Sequence, residues 1–113
     1  MSPPVHRVRR HIDVEADLLS IARWIARDSR PAAERFLAAA EDTIRGLSHM
    51  PERGSLKGWR GRRWERVRTW AVRGFPNHVV VFEVRDDGTV YVFTVVHGSR
   101  AYRRIVRGRA SGG

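Results

Sequence analysis

The sequence predicts an α+β fold of order β-α-α-β-β-β-α: an N-terminal strand, a helical hairpin, a three-stranded antiparallel meander forming a curved sheet, and a short C-terminal helix. Three observations predict it. Two stretches with apolar residues at helical spacing, 14–28 and 31–47, are separated by Ser29-Arg30-Pro31. Three β-branched and aromatic runs follow near 65–72, 78–84 and 89–97. The last run stops abruptly at His97-Gly98-Ser99-Arg100, ahead of a basic amphipathic segment that reaches Val106.

Each element has its own cause. Val5 to Ile12 alternates in character and reads as a short, edge-like first strand. Asp13 is the expected N-cap of a first helix running to about Asp28, with Leu18, Ile21, Ala22 and Ile25 on one face. Pro31 suits the first turn of a second helix, whose stripe is Ala33, Phe36, Leu37, Ala40, Ile44 and Leu47. Met50-Pro51-Glu52-Arg53-Gly54 closes that helix, and GSLKGWRGRR, residues 54–63, is a basic glycine-containing loop. Asp87-Gly88 signals a two-residue hairpin between the last two strands. Alternation along the final strand sets Val90, Val92 and Val96 against Tyr91, Phe93 and Val95. The helical hairpin can cover only one face of so apolar a sheet. The other face is therefore expected to be partly open as a binding surface, with a two-sided core as the alternative. A single domain is expected over 1–113, with its core at about 5–107 and a disordered tail at 109–113.

Composition narrows the function classes. The 113 residues contain no cysteine, which excludes a disulfide framework and thiolate metal sites and fits a reducing cytoplasm. The charged N-terminus lacks the apolar run of a signal peptide, and no stretch approaches the roughly 20 apolar residues of a membrane span. The net charge of +10 resides entirely in the second half. Residues 1–52 hold eight Arg and eight Asp or Glu, whereas residues 53–113 hold fourteen Arg or Lys against Glu65, Glu83, Asp86 and Asp87. Every cation but Lys57 is Arg, the side chain suited to bidentate phosphate or carboxylate recognition. An anionic partner is indicated, either nucleic acid or an acidic protein segment. Trp59, Trp64 and Trp70 interleave with arginines, a pattern that serves core packing or single-strand stacking. His6, His11 and His49 show no metal-ligand spacing, so neither metal nor cofactor is expected.

Four stretches, in order, resemble the RelE/ParE superfamily of bacterial toxins: ADLLxIAxxIA from Ala16, PAAxRF from Pro31 with Met50-Pro51 and Gly54, RxFxNHxVxF from Arg73, and HGSRxY from His97. The last is similar to the HGxRD-type ending of ParE-like members, although Ala101 replaces the acid. A tyrosine often stands in that superfamily where His78 stands here. The resemblance implies a toxin neutralised by a co-expressed acidic antitoxin whose C-terminal segment folds onto it. It also implies one of two targets. ParE-like members poison DNA gyrase without being nucleases; RelE-like members cleave mRNA in the ribosome. In a metal-free nuclease, His97 would be the acid or base, Tyr102 its partner, and Arg73 and Arg100 the phosphate clamps. As a binder, the chain would meet antitoxin or target through Arg66, Arg68, Arg73, His97, Arg100, Arg103 and Arg104. His97 can equally be a strand-end imidazole holding a turn, and Arg100 can pair with Asp13, Asp17 or Glu83. The ending fits the ParE-like, gyrase-directed reading better.

Overall fold

Five strands form one sheet in a computed structural model that describes residues 5–110. The elements are β1 (Val8–Arg10), α1 (Val14–Ala26), α2 (Arg30–Gly46), a 3-10 turn (Pro51–Arg53), β2 (Ser55–Leu56), β3 (Arg68–Val72), β4 (Phe75–Val84), β5 (Val90–His97) and α3 (Arg103–Ala110). The strand order is β1-β5-β4-β3-β2. β1 runs parallel to β5, while β5-β4, β4-β3 and β3-β2 are antiparallel. The α+β class and the element order match expectation. The two-residue β2, inside the basic loop, is an addition that its composition did not signal.

The helical hairpin forms for the reasons its sequence supplies. Ser29 is extended, and its hydroxyl accepts the Ala32 N–H at 3.2 Å, capping α2 one residue before Arg30 and Pro31. Asp13, by contrast, makes no side-chain cap. Its own N–H donates to His11 Nδ1 at 3.1 Å, and its helical backbone already belongs to the first turn. Val14 and Leu18 of α1 join Phe36, Ala40 and Ile44 of α2 and Leu47 just beyond it over Val72, Val80, Phe82, Val90, Val92 and Val95 of the sheet. A bidentate Arg10–Glu41 pair at 2.8 and 2.9 Å ties β1 to α2.

The β4–β5 connection differs from the expected two-residue turn. Type I′ and II′ turns both need a positive φ at Asp87, and among the described residues no non-glycine has one. Instead Arg85 N donates to Thr89 O at 2.8 Å, so residues 86–88 form a three-residue loop with Gly88 at φ 86°. Asp87 accepts the Thr89 N–H at 2.9 Å and locks it.

A bulge in β5 overturns the expected alternation. Val81 pairs with Thr94 but Phe82 pairs with Val92, so Phe93 is an extra residue. Beyond it every side chain changes face. Val95 therefore joins Val90 and Val92 under the hairpin, while Val96 joins Tyr91 and Phe93 on the other side. The shift also brings His97 opposite His78.

The second sheet face is not the open surface expected. The chain covers it with its own basic loop and α3: Val67, Tyr102 and Val106 are buried against Val81, Tyr91, Phe93 and Val96, with Trp59, Trp64, Ile105 and Ala110 packed around them. The two-sided core is the arrangement found. Nor do Arg109 and Ala110 belong to a tail. Both lie in α3, and the Arg109 guanidinium bonds both Asp17 carboxylate oxygens (Oδ1 at 3.1 Å) and the Phe93 carbonyl at 2.9 Å. A bulge exposes a carbonyl from the ladder, and this arginine satisfies it. Residues 111–113 of the expected tail lie outside the described residues.

Candidate functional site

The end of β5 builds one side of a cleft of about 210 Å³, and α1 builds the other. Its polar rim includes Asp17, Ser20, His78, His97 and Arg100, and Trp24 of α1 stands over it, 66% exposed. His97 is solvent-exposed, and its Nδ1 accepts the Ser99 N–H at 3.2 Å and meets the Ser99 hydroxyl at 2.7 Å. These contacts orient the ring across the Gly98 turn, where Gly98 N also donates to Asn77 O at 2.7 Å.

His78, in register with His97, is its neighbour: the ring centroids are 5.4 Å apart at 75°. On its other side His78 packs edge-on against Phe36, 5.3 Å away. Burial lowers the His78 pKa from its ordinary value, and the adjacent His97 lowers it further. His78 was not among the expected site residues. The signal available was its position in RxFxNHxVxF, where the resemblance places a tyrosine.

The expected nuclease set is not gathered. His97 and Arg100 share the cleft. Tyr102 is 5% exposed in the second core, its ring tilted at 47° against Trp59 with centroids 5.9 Å apart and lying under the Lys57 ammonium. Arg73 lies beyond β3 in a separate depression with Asp42, Thr43, Gly46, Arg53 and Trp70, its N–H donating to Thr43 Oγ1 at 3.1 Å. A base and a clamp thus stand at one place, with the other clamp and the phenol elsewhere, and the four do not share one pocket.

The remaining candidate cations divide between scaffold and surface. Arg68 donates to the carbonyls of Glu52 (3.1 Å) and Gly54 (2.7 Å) and so holds the loop into β2. Gly54 is required there, because a Cβ would lie 2.6 Å from the Phe82 ring. Arg66 pairs with exposed Asp86 at 2.6 Å. Arg103 and Arg104 are exposed on α3, and the Arg103 guanidinium lies 5.3 Å from the Trp59 centroid. Arg100 pairs with none of the three carboxylates expected for it. Asp17 is taken by Arg109, and Glu83, 1% exposed, is held by Arg63 at 2.9 Å and Arg85 at 3.3 Å. The interleaved tryptophans serve packing: Trp70 borders the hairpin-side core, Trp59 and Trp64 the second core. No helix of the described residues is long and apolar enough to cross a membrane.

The fold is similar to that of a chain solved in the chromosomal ParDE TA system from P. aeruginosa, with a TM-score of 0.64 at 13% identity over 82% of this chain and 96% of that one. That likeness is one of fold, which in this chain is a small sheet with a helical hairpin on one face and a terminal helix on the other. No curated protein matches the chain. Residues 8–102 match the family described as the ParE toxin of type II toxin-antitoxin system, parDE. The chain belongs to that family and is a toxin of the type II toxin–antitoxin class. The matched stretch runs from the first residue of β1 to Tyr102 and leaves α3 beyond its end.

Proposed function

We propose that this toxin acts in the cytoplasm by binding and poisoning DNA gyrase, and that an acidic cognate antitoxin neutralises it by occupying the α1–β5 cleft. The observation that carries the target is the dispersal of the nuclease set, with Tyr102 buried on one sheet face and Arg73 in a depression apart from His97 and Arg100. With two of the four expected groups, Arg73 and Tyr102, away from His97 and Arg100, toxicity by binding is the simpler reading of a ParE family member. The cleft supports the antitoxin reading. Exposed Trp24, half-buried Ile21 and the Arg100 cation offer apolar anchors beside a positive charge, which suits an acidic amphipathic segment.

The experiment is induction of the chain without antitoxin, with DNA breaks, the SOS response and translation followed together. Filamentation and gyrase-dependent breaks are expected before protein synthesis falls. Translation arrest with cleaved transcripts, and gyrase supercoiling untouched in vitro, would refute the proposal. One observation keeps endoribonuclease activity as the second reading: the facing imidazoles of His78 and His97 beside Arg100 could share proton transfer at a single phosphate. His97→Ala separates the two. A gyrase poison keeps most of its toxicity, whereas a nuclease loses it while still binding antitoxin.

A further inference from the structure

We infer that the face formed by the 57–66 loop and α3 is a docking surface for the phosphate backbone of duplex DNA. This inference is independent of the toxin's target.

α3 reads RRIVRGRA and carries no acid. Its inward residue Val106 is fully buried, and Arg103, Arg104 and Arg107 are exposed. The loop packed beside it adds exposed Lys57, Arg60, Arg62 and Arg63, and the Arg63 guanidinium reaches the Ala110 carbonyl at 3.3 Å, joining loop to helix. Arg60, Arg62 and Arg104 have no carboxylate partner among the described residues. The acids near this face are few. Glu83 is buried beneath Arg63 and Arg85, Asp86 is paired with Arg66, Asp17 is paired with Arg109, and Glu65 in the loop and Asp87 at the edge of the face stand exposed.

One feature favours a phosphate backbone over an acidic peptide. Stable peptide docking needs apolar anchors, and the most exposed large hydrophobic residues here are Val5, Ile12, Leu19, Trp24, Met50 and Leu56, none of them in the 57–66 loop or α3. The cations are almost all arginine, which grips phosphate bidentately as readily as it grips carboxylate. A further feature favours duplex over single strand. Trp59 is engaged by Tyr102 and Arg103, and Trp64 by Arg63 and Arg107 at 5.0 and 5.9 Å. Rings so occupied are poor platforms for unpaired bases, which leaves charge to do the binding.

The test titrates the full chain against a fluorescent duplex of arbitrary sequence, the single strand of equal length, and an acidic peptide of equal charge, across a salt series. The duplex is expected to bind at a micromolar Kd, about 10⁻⁶ to 10⁻⁴ M at physiological salt, without sequence preference. Arg60→Gln/Arg62→Gln/Arg104→Gln should lower the slope of log K against log salt by roughly 2 to 3. These three side chains hold no carboxylate among the described residues, and Arg104→Glu alone provides a second, milder variant with the same direction of effect. Arg23→Gln/Arg30→Gln/Arg35→Gln removes the same charge from the helical hairpin and should leave the slope nearly unchanged. Equal losses in both triple variants would reduce the effect to net charge and overturn the inference. So would preference for the single strand, tighter binding of the acidic peptide at matched salt, or no duplex binding at low salt.

Discussion

The two faces of the sheet are sealed by different means. Under the helical hairpin, two long amphipathic helices lay Val14, Leu18, Phe36, Ala40 and Ile44 over the strands, and the residues are regular in spacing and almost wholly aliphatic or aromatic. On the opposite face an irregular loop and an eight-residue helix do the covering, with Trp59, Trp64 and Tyr102 as lids and arginines stacked on the outside. The first arrangement rests on packed hydrocarbon. The second rests on a thin apolar layer fastened by charge: Arg63 and Arg85 on buried Glu83, and Arg109 on Asp17 and the bulge carbonyl. A short helix has little intrinsic stability, so its position depends on those ties. The hairpin face is the scaffold, and the α3 face is the part most readily opened.

That contrast can be broken most directly in the core. Phe36 is fully buried and meets both Phe75 and His78 edge-on at 5.3 Å. Phe36→Ala is expected to remove about 3–5 kcal/mol of stability, and Val106→Ala on the α3 face only about 1–3 kcal/mol. Chemical denaturation measures both. Equal losses would mean that the two faces are not distinct in energy.

The next effect sharpens the role of the ties. Arg109→Gln removes the ion pair to Asp17 and the bond to Phe93 O, and is expected to cost about 1–2 kcal/mol globally. Its larger signature should be local, with amides of α3 exchanging faster while those of α2 keep their protection. Uniform loss of protection across both helices would show that α3 is not a separate unit.

The smallest effect concerns pH at the cleft on the hairpin face. The folded-state pKa of His78 lies below the ordinary 6.5, first through burial and then through His97. The unfolded chain therefore takes up the proton first as pH falls, and stability declines from about pH 6.5 down to the depressed folded value. Thermal melts at pH 7.5 and 5.5 should differ less in His78→Gln than in the native chain. An unchanged difference would assign the pH dependence to other groups.

Much of the architecture was legible along the chain. The break at Ser29-Arg30-Pro31, the helical stripes and the three apolar runs are local signals, set by residues within one or two turns of one another. The toxin class was legible as well, because HGSRxY and its companion motifs lie in a fixed order. The candidate site was legible in part: His97 and Arg100 are three residues apart and meet in one cleft, but Arg73 and Tyr102, although close in the expected chemistry, are separated by the sheet. Arg109, assigned to a tail by its glycine-rich surroundings, was misread because its partners, Asp17 and Phe93, lie 92 and 16 residues away.

By itself, the sequence determined the order of elements, the hairpin, the concentration of positive charge in the second half and the family. Only the tertiary structure decided which side chains face which way beyond the β5 bulge, what covers the second face of the sheet, and which imidazole stands beside His97. The physical reason is the same in each case. One extra residue, Phe93, inverts the alternation of everything after it, and no local pattern records where a ladder slips until the partner strand is in place.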